Sequence, residues 1–199
     1  MSEQVRKVLN VGGGPKTTPM PAIYQGWEQV YLDVDPRCKP DVVCDARELT
    51  RLKGGEFDAV YCSQNIEHYY RHDAIKVLLG FVHVLKADGF AHVLTPDIGE
   101  LMRVVVEKNL DIDDVLYPSP AGLITVRDVI YGFGQEIERS GADFFAHKTG
   151  FTKKSLSMLL GRCGFPYVLS GSANMEVVAY GFRNPPGEFA RALLKLPAS

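Results

Sequence analysis

Val8-Leu9-Asn10-Val11-Gly12-Gly13-Gly14 is an apolar run of strand length that stops at three consecutive glycines. Four to seven apolar residues closed by a breaker form the pattern of a buried β-strand. Three glycines in a row let the backbone turn sharply and come within contact distance of a ligand, where a β-carbon would collide. A tight turn with no ligand uses the same residues, so the segments that follow decide between the two readings.

Those segments repeat the pattern. Residues 29–33, 41–44, 57–62 and 90–95 are short, largely apolar and bounded by Gly, Pro, Asp or Asn, and the first strand extends over residues 5–11. Between the fourth and fifth, residues 72–86 carry Ile75, Leu78, Leu79, Val82 and Leu85 at intervals of three and four. That spacing predicts a helix with one apolar face, stopped by Ala87-Asp88-Gly89. Strands alternating with crossovers imply an α/β fold with a mostly parallel sheet, because parallel neighbours need a long return path. The first crossover is unusual: Pro15, Pro19 and Pro21 lie within seven residues. Each lacks an amide donor and clashes with a preceding helical turn, so any helix there is short or late.

About twenty residues beyond the glycines, the second strand ends as Tyr31-Leu32-Asp33-Val34-Asp35-Pro36. A carboxylate at that strand end can accept both hydroxyls of a ribose. Asp33 suits the role better than Asp35, which Pro36 pushes into the turn. The third strand delivers Cys44-Asp45-Ala46. Asp45 can accept from an adenine amine while Ala46 leaves room for the ring; Asp45 can equally cap a helix, and the two roles are compatible. The fourth strand passes abruptly from apolar to polar at Ser63-Gln64-Asn65-Ile66-Glu67-His68. In an open α/β sheet, ligands lie outside these carboxyl ends, so the series defines one crevice.

Taken together, Leu9 to Gly14, Gly26-Trp27, Asp33-Val34-Asp35-Pro36, Pro40 to Asp45, Phe57 to Tyr61 with Ser63 and Glu67-His68, and later His147 to Thr152, resemble class I S-adenosylmethionine-dependent methyltransferases. The likeness is to small stand-alone members associated with surface-glycan biosynthesis. It implies a Rossmann-like, seven-stranded sheet with flanking helices and an antiparallel last strand. It also implies S-adenosyl-L-methionine as cofactor: Gly12, Gly13 and Gly14 at the methionyl part, Asp33 and its neighbour Val34 at the ribose, Asp45 and Ala46 at the adenine, and Ser63 or Gln64 at the amino-acid end. Asn10 stands where the family often has an acid, keeping an acceptor without the charge. The implied acceptor is a small molecule or a glycan.

Methyl transfer mainly requires holding the reactants in line. A base helps when the acceptor is a hydroxyl or an ammonium, and His68 and His147 are the candidates because imidazole titrates near neutral pH. His68 can equally orient its loop and His147 a hinge. Tyr69, Tyr70 and Tyr131 are candidates for the acceptor pocket, though packing is the commoner fate of aromatics. A nicotinamide-dependent oxidoreductase shares the glycine loop and acidic strand end, but Thr17 stands where its third glycine is needed and the prolines deny it a regular helix. A non-catalytic cofactor-binding or partner-binding module is the other alternative.

Residues 110–150 have weak periodicity, several Pro and Gly, and aromatics at Tyr117, Tyr131, Phe133, Phe144 and Phe145, the pattern of an inserted functional lid. Thr152 opens a helix closed by Gly164, with Leu156, Leu159 and Leu160 on one face; residues 167–170 and 176–182 read as strands. The tail, with Phe189, Leu193 and Leu194, is expected to dock on the body or in a homodimer.

The 199 residues, 46% of them hydrophobic, suffice for a single domain spanning 1–199 with the lid inserted. Lys plus Arg (22) nearly balance Asp plus Glu (24), so no broad positive field favours nucleic acid. No apolar run approaches the ~18 to 20 residues of a membrane span, and no leader pattern precedes the first strand, so a cytoplasmic protein is expected. Cys38, Cys44, Cys62 and Cys163 form no CxxC pair, so neither a disulfide frame nor a metal is assigned.

Overall fold

The apolar runs before residue 97 become five parallel strands in a computed structural model that describes residues 5–120 and 122–196. Residues 1–4, 121 and 197–199, which the sequence reading includes in the domain, lie outside the described residues. The strands are β1 (Lys7–Val11), β2 (Glu28–Asp33), β3 (Val42–Val43), β4 (Phe57–Ser63) and β5 (Leu85–Pro96). Val8, Leu9, Val11, Val60 and Cys62 are fully buried, as expected of strands covered on both faces. Helix α1 (Arg71–Val84) covers one face between β4 and β5.

Beyond residue 97 the chain forms α2 (Ile98–Lys108), the hairpin β6 (Val115–Ser119) and β7 (Gly122–Thr125), and helices α3 (Val126–Tyr131) and α4 (Gly134–Ser140). It then returns to the body as α5 (Lys153–Arg162), β8 (Tyr167–Ala173), β9 (Glu176–Phe182) and α6 (Glu188–Leu193). The main sheet has the order β3-β2-β1-β4-β5-β9-β8, seven strands in all, with β9 antiparallel to both neighbours. This is the expected mixed α/β, mostly parallel seven-stranded architecture.

Four local expectations are corrected. Helix α1 buries Ala74, Val77, Leu78, Phe81 and Val84, whereas Ile75 and Leu79 face solvent. The rotation is pinned at Gly80, where a β-carbon would lie 2.7 Å from Leu49 Cβ in the 3-10 turn Ala46–Arg51. Ala87-Asp88-Gly89 lies within β5 and does not end a helix. Backbone bonds from Gly55 to His83 and from Glu56 to Val84 draw the chain into the sheet at Leu85, and a register shift between Phe57 and Ala59 absorbs the triplet. The segment read as irregular contains a hairpin and two short helices, α3 starting at a capping box of Thr125 and Asp128. The insertion also begins earlier than residue 110: α2 already leaves the sheet, and Asp97 bridges Phe151, so residues 98–150 enter and leave at one point.

Thr152 caps α5 through a box with Ser155, and Gly164 has a φ of +105° just past its end, as expected from local sequence. The tail helix α6 docks on its own chain. Ala190 is buried, Leu193 and Leu194 pack beside Tyr24 and Phe182, and the Arg6 guanidinium lies 3.3 Å from the Phe189 ring centroid.

Candidate functional site

The carboxyl ends of β1 to β4 form one rim. Gly12 N donates to Leu32 O at 2.8 Å, and Ser63 follows the Val11–Cys62 register pair, which puts the glycine loop between the ends of β2 and β4. Gly12 and Gly14 have φ of +68° and +61°, the left-handed region open to glycine. The glycines meet different surroundings. A β-carbon at Gly12 would collide with the Asn65 amide, and one at Gly13 with the side chain of Asn10, whereas Gly14 has no heavy atom within 4 Å of that position.

Asp33 Oδ2 accepts from Gly14 N at 3.2 Å and Oδ1 from Asp35 N at 2.9 Å, so this carboxylate ties the glycine loop to the end of β2. Asp35 is the turn acid, capping the 3-10 turn Pro36–Cys38 and chelating the Arg37 guanidinium. Asp45 is a cap as well: it accepts from Arg47 N and pairs with the Arg47 side chain. Burial pushes the Asp45 carboxyl up, and the Arg47 bonds outweigh it, so its net shift is downward. Ala46 is buried in the core, Val34 is exposed, and Tyr69, partly buried, packs against the core. Burial pushes the Tyr69 phenol up. A cofactor fits this rim on two observations. Gly14, at φ +61°, leaves open space where other residues would carry a β-carbon, and Asn10 Oδ1 is a buried acceptor without a hydrogen-bond partner, which suits a donor such as an amine.

A second region opens beside the rim. A cavity of about 720 Å³ lies where β5 and the start of β9 meet the insertion, lined in part by Gln64, Tyr117, Asp128, Phe133, His147 and Glu176. Gln64, at φ +49°, donates from Nε2 to Glu176 Oε1 at 2.6 Å. The side chain expected at the cofactor's amino-acid end therefore turns toward this cavity. Burial raises the Glu176 carboxyl above its usual range, against the opposing effect of the Gln64 bond. Tyr131 and Tyr69 do not line the cavity; Tyr131 is 56% exposed, and its carbonyl accepts from His147 N. The aromatic walls are Tyr117 and Phe133. Glu176 carries no local signal in the sequence: the antiparallel pairing of Glu176 with Pro96 brings it to the rim.

His68 and His147 meet edge to face, with ring centroids 4.9 Å apart. His147 Nδ1 contacts Val129 O at 2.9 Å, and burial lowers its pKa. His68 has Ala146 O on Nδ1 and Gln64 O on Nε2, each at 3.2 Å; burial first and His147 second push it down to about 4. The adjacent Glu67 is buried, and burial pushes its carboxyl up to about 7. Lys148 N and Thr149 N both donate to Glu67 O, stitching the end of the insertion onto the turn after β4.

No protein-family description and no curated protein matches this chain. Solved structures do. A SAM-dependent methyltransferase from Archaeoglobus fulgidus aligns at 15% identity and TM-score 0.57, covering 89% of this chain and 86% of that one. The 1,6-didemethyltoxoflavin N1-methyltransferase of Burkholderia thailandensis, solved with S-adenosylhomocysteine, aligns at 17% identity and TM-score 0.54 over 89% of this chain and 70% of that one. A structure from Rhodobacter sphaeroides titled as a putative zinc-dependent alcohol dehydrogenase aligns at 13% and 0.55, over 92% and 86%. At such identities the likeness is one of fold: the chain has the Rossmann-like fold of SAM-dependent methyltransferases. Among the described residues, no helix is long and apolar enough to cross a membrane.

Proposed function

We propose that this protein is an S-adenosylmethionine-dependent methyltransferase that acts, in the cytosol, on a small-molecule or glycan-type acceptor held in the cavity beneath the insertion. The observation carrying this reading is the junction of the glycine-loop rim with that cavity at Ser63-Gln64. Asn10, Gly12, Gly14 and Asp33 would hold the cofactor, with Ala46 at its adenine side; bound there, it supplies a methyl group already activated as a sulfonium. The chain's own task is then to place an acceptor atom in line and keep water out, worth up to about 7 to 11 kcal/mol in favourable intramolecular models. Tyr117 and Phe133 offer flat apolar walls for that purpose, and Gln64 and Glu176 offer hydrogen bonds. His147 is the imidazole at the cavity wall and the group that serves the acceptor's proton, whereas both ring nitrogens of His68 are turned to main-chain carbonyls.

Charge narrows the acceptor. The cavity is lined by the carboxylates of Asp128 and Glu176 and, among the described residues, by no Lys or Arg. A neutral or amine-bearing sugar or other small molecule fits this lining; a phosphorylated one would face like charge. The oxidoreductase alternative lacks support at the glycine loop, because the chain after Gly14 runs through turns to the three-residue 3-10 helix Ala22–Tyr24 and offers no helix N-terminus for a pyrophosphate.

Calorimetric titration with S-adenosylmethionine and with NADH tests the cofactor. Binding of the first and not the second is expected, and the reverse would overturn the assignment. Release of S-adenosylhomocysteine with a panel of neutral and amino sugars tests turnover; binding without release across the panel would favour a silent cofactor-binding module.

A further inference from the structure

Glu67, His68 and His147 converge under the cavity wall, each bringing one carboxylate oxygen or ring nitrogen to within 4.8 Å of the other two. Two neighbours on a turn and a residue eighty positions later meet because Lys148 N and Thr149 N are both bonded to Glu67 O, at 2.8 and 3.1 Å. Main chain, rather than flexible stems, therefore sets their spacing.

Glu67 is 1% exposed; its Oε2 accepts from the Thr95 hydroxyl at 3.0 Å, while Oε1 has no hydrogen-bond partner. An unpartnered buried carboxylate oxygen is costly unless something positive reaches it. His147 presents Nδ1 to the Val129 carbonyl, so its N–H is committed there and the lone pair lies on Nε2. His68 faces a carbonyl oxygen from each ring nitrogen, yet a neutral imidazole has a single N–H. One of those contacts sets lone pair against lone pair, and that nitrogen must turn from its carbonyl before it can hold an ion. Lys148, the nearest lysine in sequence, is paired with Asp143.

We propose that Glu67, His68 and His147 form a binding site for a divalent first-row transition ion, of which Zn²⁺ is the test case. Two imidazoles and one carboxylate make a ligand set suited to such an ion, and they leave a coordination position open. Imidazoles anchored by N–H bonds to backbone carbonyls, as His147 is to Val129, match the usual support of metal-ligating histidines. His147 and Gln64 line the cavity, so the ion would stand at its wall as a Lewis acid next to the acceptor, in place of the proton-accepting role of His147, whose Nε2 it would occupy. The inference rests on the proposed function only for that last role; ion binding itself is independent of methyl transfer.

The test uses the full-length protein, stripped with a chelator and titrated with Zn²⁺ by calorimetry and with Co²⁺ by visible absorption. One ion per chain is expected, with no thiolate charge-transfer band, since the cysteines take no part. His147→Ala and Glu67→Gln should each weaken Zn²⁺ binding by about tenfold or more, while His83→Ala, outside the cluster, leaves it unchanged. Thermal melts of the stripped proteins separate ligand loss from misfolding, and His147→Ala remains decisive if Glu67→Gln does not fold. Absence of stoichiometric binding, equal binding in His147→Ala, or a cobalt–thiolate band would each overturn the proposal. Failure of methyl transfer with normal ion binding would instead count against the proposed function.

Discussion

The glycine-loop rim and the cavity beneath the insertion share an edge at Ser63-Gln64 and are built on different physical terms. The rim stands on strands buried on both faces, and its carboxylates are satisfied locally: Asp33 by Gly14 and Asp35, Asp45 by Arg47, Asp35 by Arg37. The cavity is closed by an insertion that buries little of itself. Helix α4 has no buried residue, α2 buries Leu101, and the segment is held by caps and by the backbone bonds of Lys148 and Thr149 to Glu67. A rim bonded into the core can be shared by many proteins of one fold, while a lightly anchored cap can change its lining without cost to the core. On the proposed function, the comparison separates what would bind a common cofactor from what would select an acceptor.

The largest expected contrast lies between the two scaffolds. Leu78→Ala, fully buried between α1 and the sheet, should cost about 2 to 5 kcal/mol of unfolding free energy by denaturant titration, whereas Leu123→Ala on the exposed hairpin should stay within about 0.5 kcal/mol. Similar losses would mean that the insertion is part of the cooperative core. Next, Asp33→Ala should weaken S-adenosylmethionine binding by roughly tenfold to a hundredfold, the weight of one or two bonds to a charged group, with a near-normal melt. Unchanged calorimetric affinity would move the ribose site elsewhere.

Acid sensitivity is expected from the scaffold through His92, in addition to that from His68. His92, buried among Tyr24, Tyr61 and Tyr180, is pushed down to about 3 by burial, so it stays neutral in the fold while the unfolded chain takes up a proton below about pH 6.5. The unfolded state then binds more protons, and stability falls as pH drops from 6.5 toward 3, by ~1.4 kcal/mol per unit or ~2 kcal/mol at pH 5. His92→Gln should flatten that part of the pH–melting curve; a curve parallel to the parent protein's would refute the assignment. Within the cavity, Tyr117→Ala should raise the acceptor KM about tenfold and leave cofactor affinity unchanged. A matching loss of cofactor binding would dissolve the separation of the two regions. The smallest effect is expected at Thr152→Ala, which removes the cap where the insertion rejoins the body and should cost about 1 kcal/mol by thermal melt.

Much of the rim was legible because its signals are local. Apolar runs ending in Gly12-Gly13-Gly14, Asp33 and Asp45 mark strands by length and breaker, and strand ends by the first polar residue. Even there, the Asn65 amide facing Gly12 was not anticipated, because Asn65 reads only as one more polar residue in the run after β4. The face of α1 was misjudged because two stripes fit its spacing and contact with Leu49 at Gly80 selects between them. The surroundings of Gln64 and Tyr131 are not legible locally for a related reason: Gln64 turns to Glu176, far away in sequence, and Tyr131 stands exposed.

By itself, then, the sequence determined the alternation of strands and crossovers, the glycine turn with its acidic neighbour, and the helix start at Thr152, since each depends on residues within a few positions of one another. Only the tertiary structure decided that Glu176 reaches the cavity, that the insertion closes on itself between Asp97 and Phe151, and that Glu67, His68 and His147 converge. These meetings depend on strand pairing and backbone bonds between distant segments, which no local periodicity encodes.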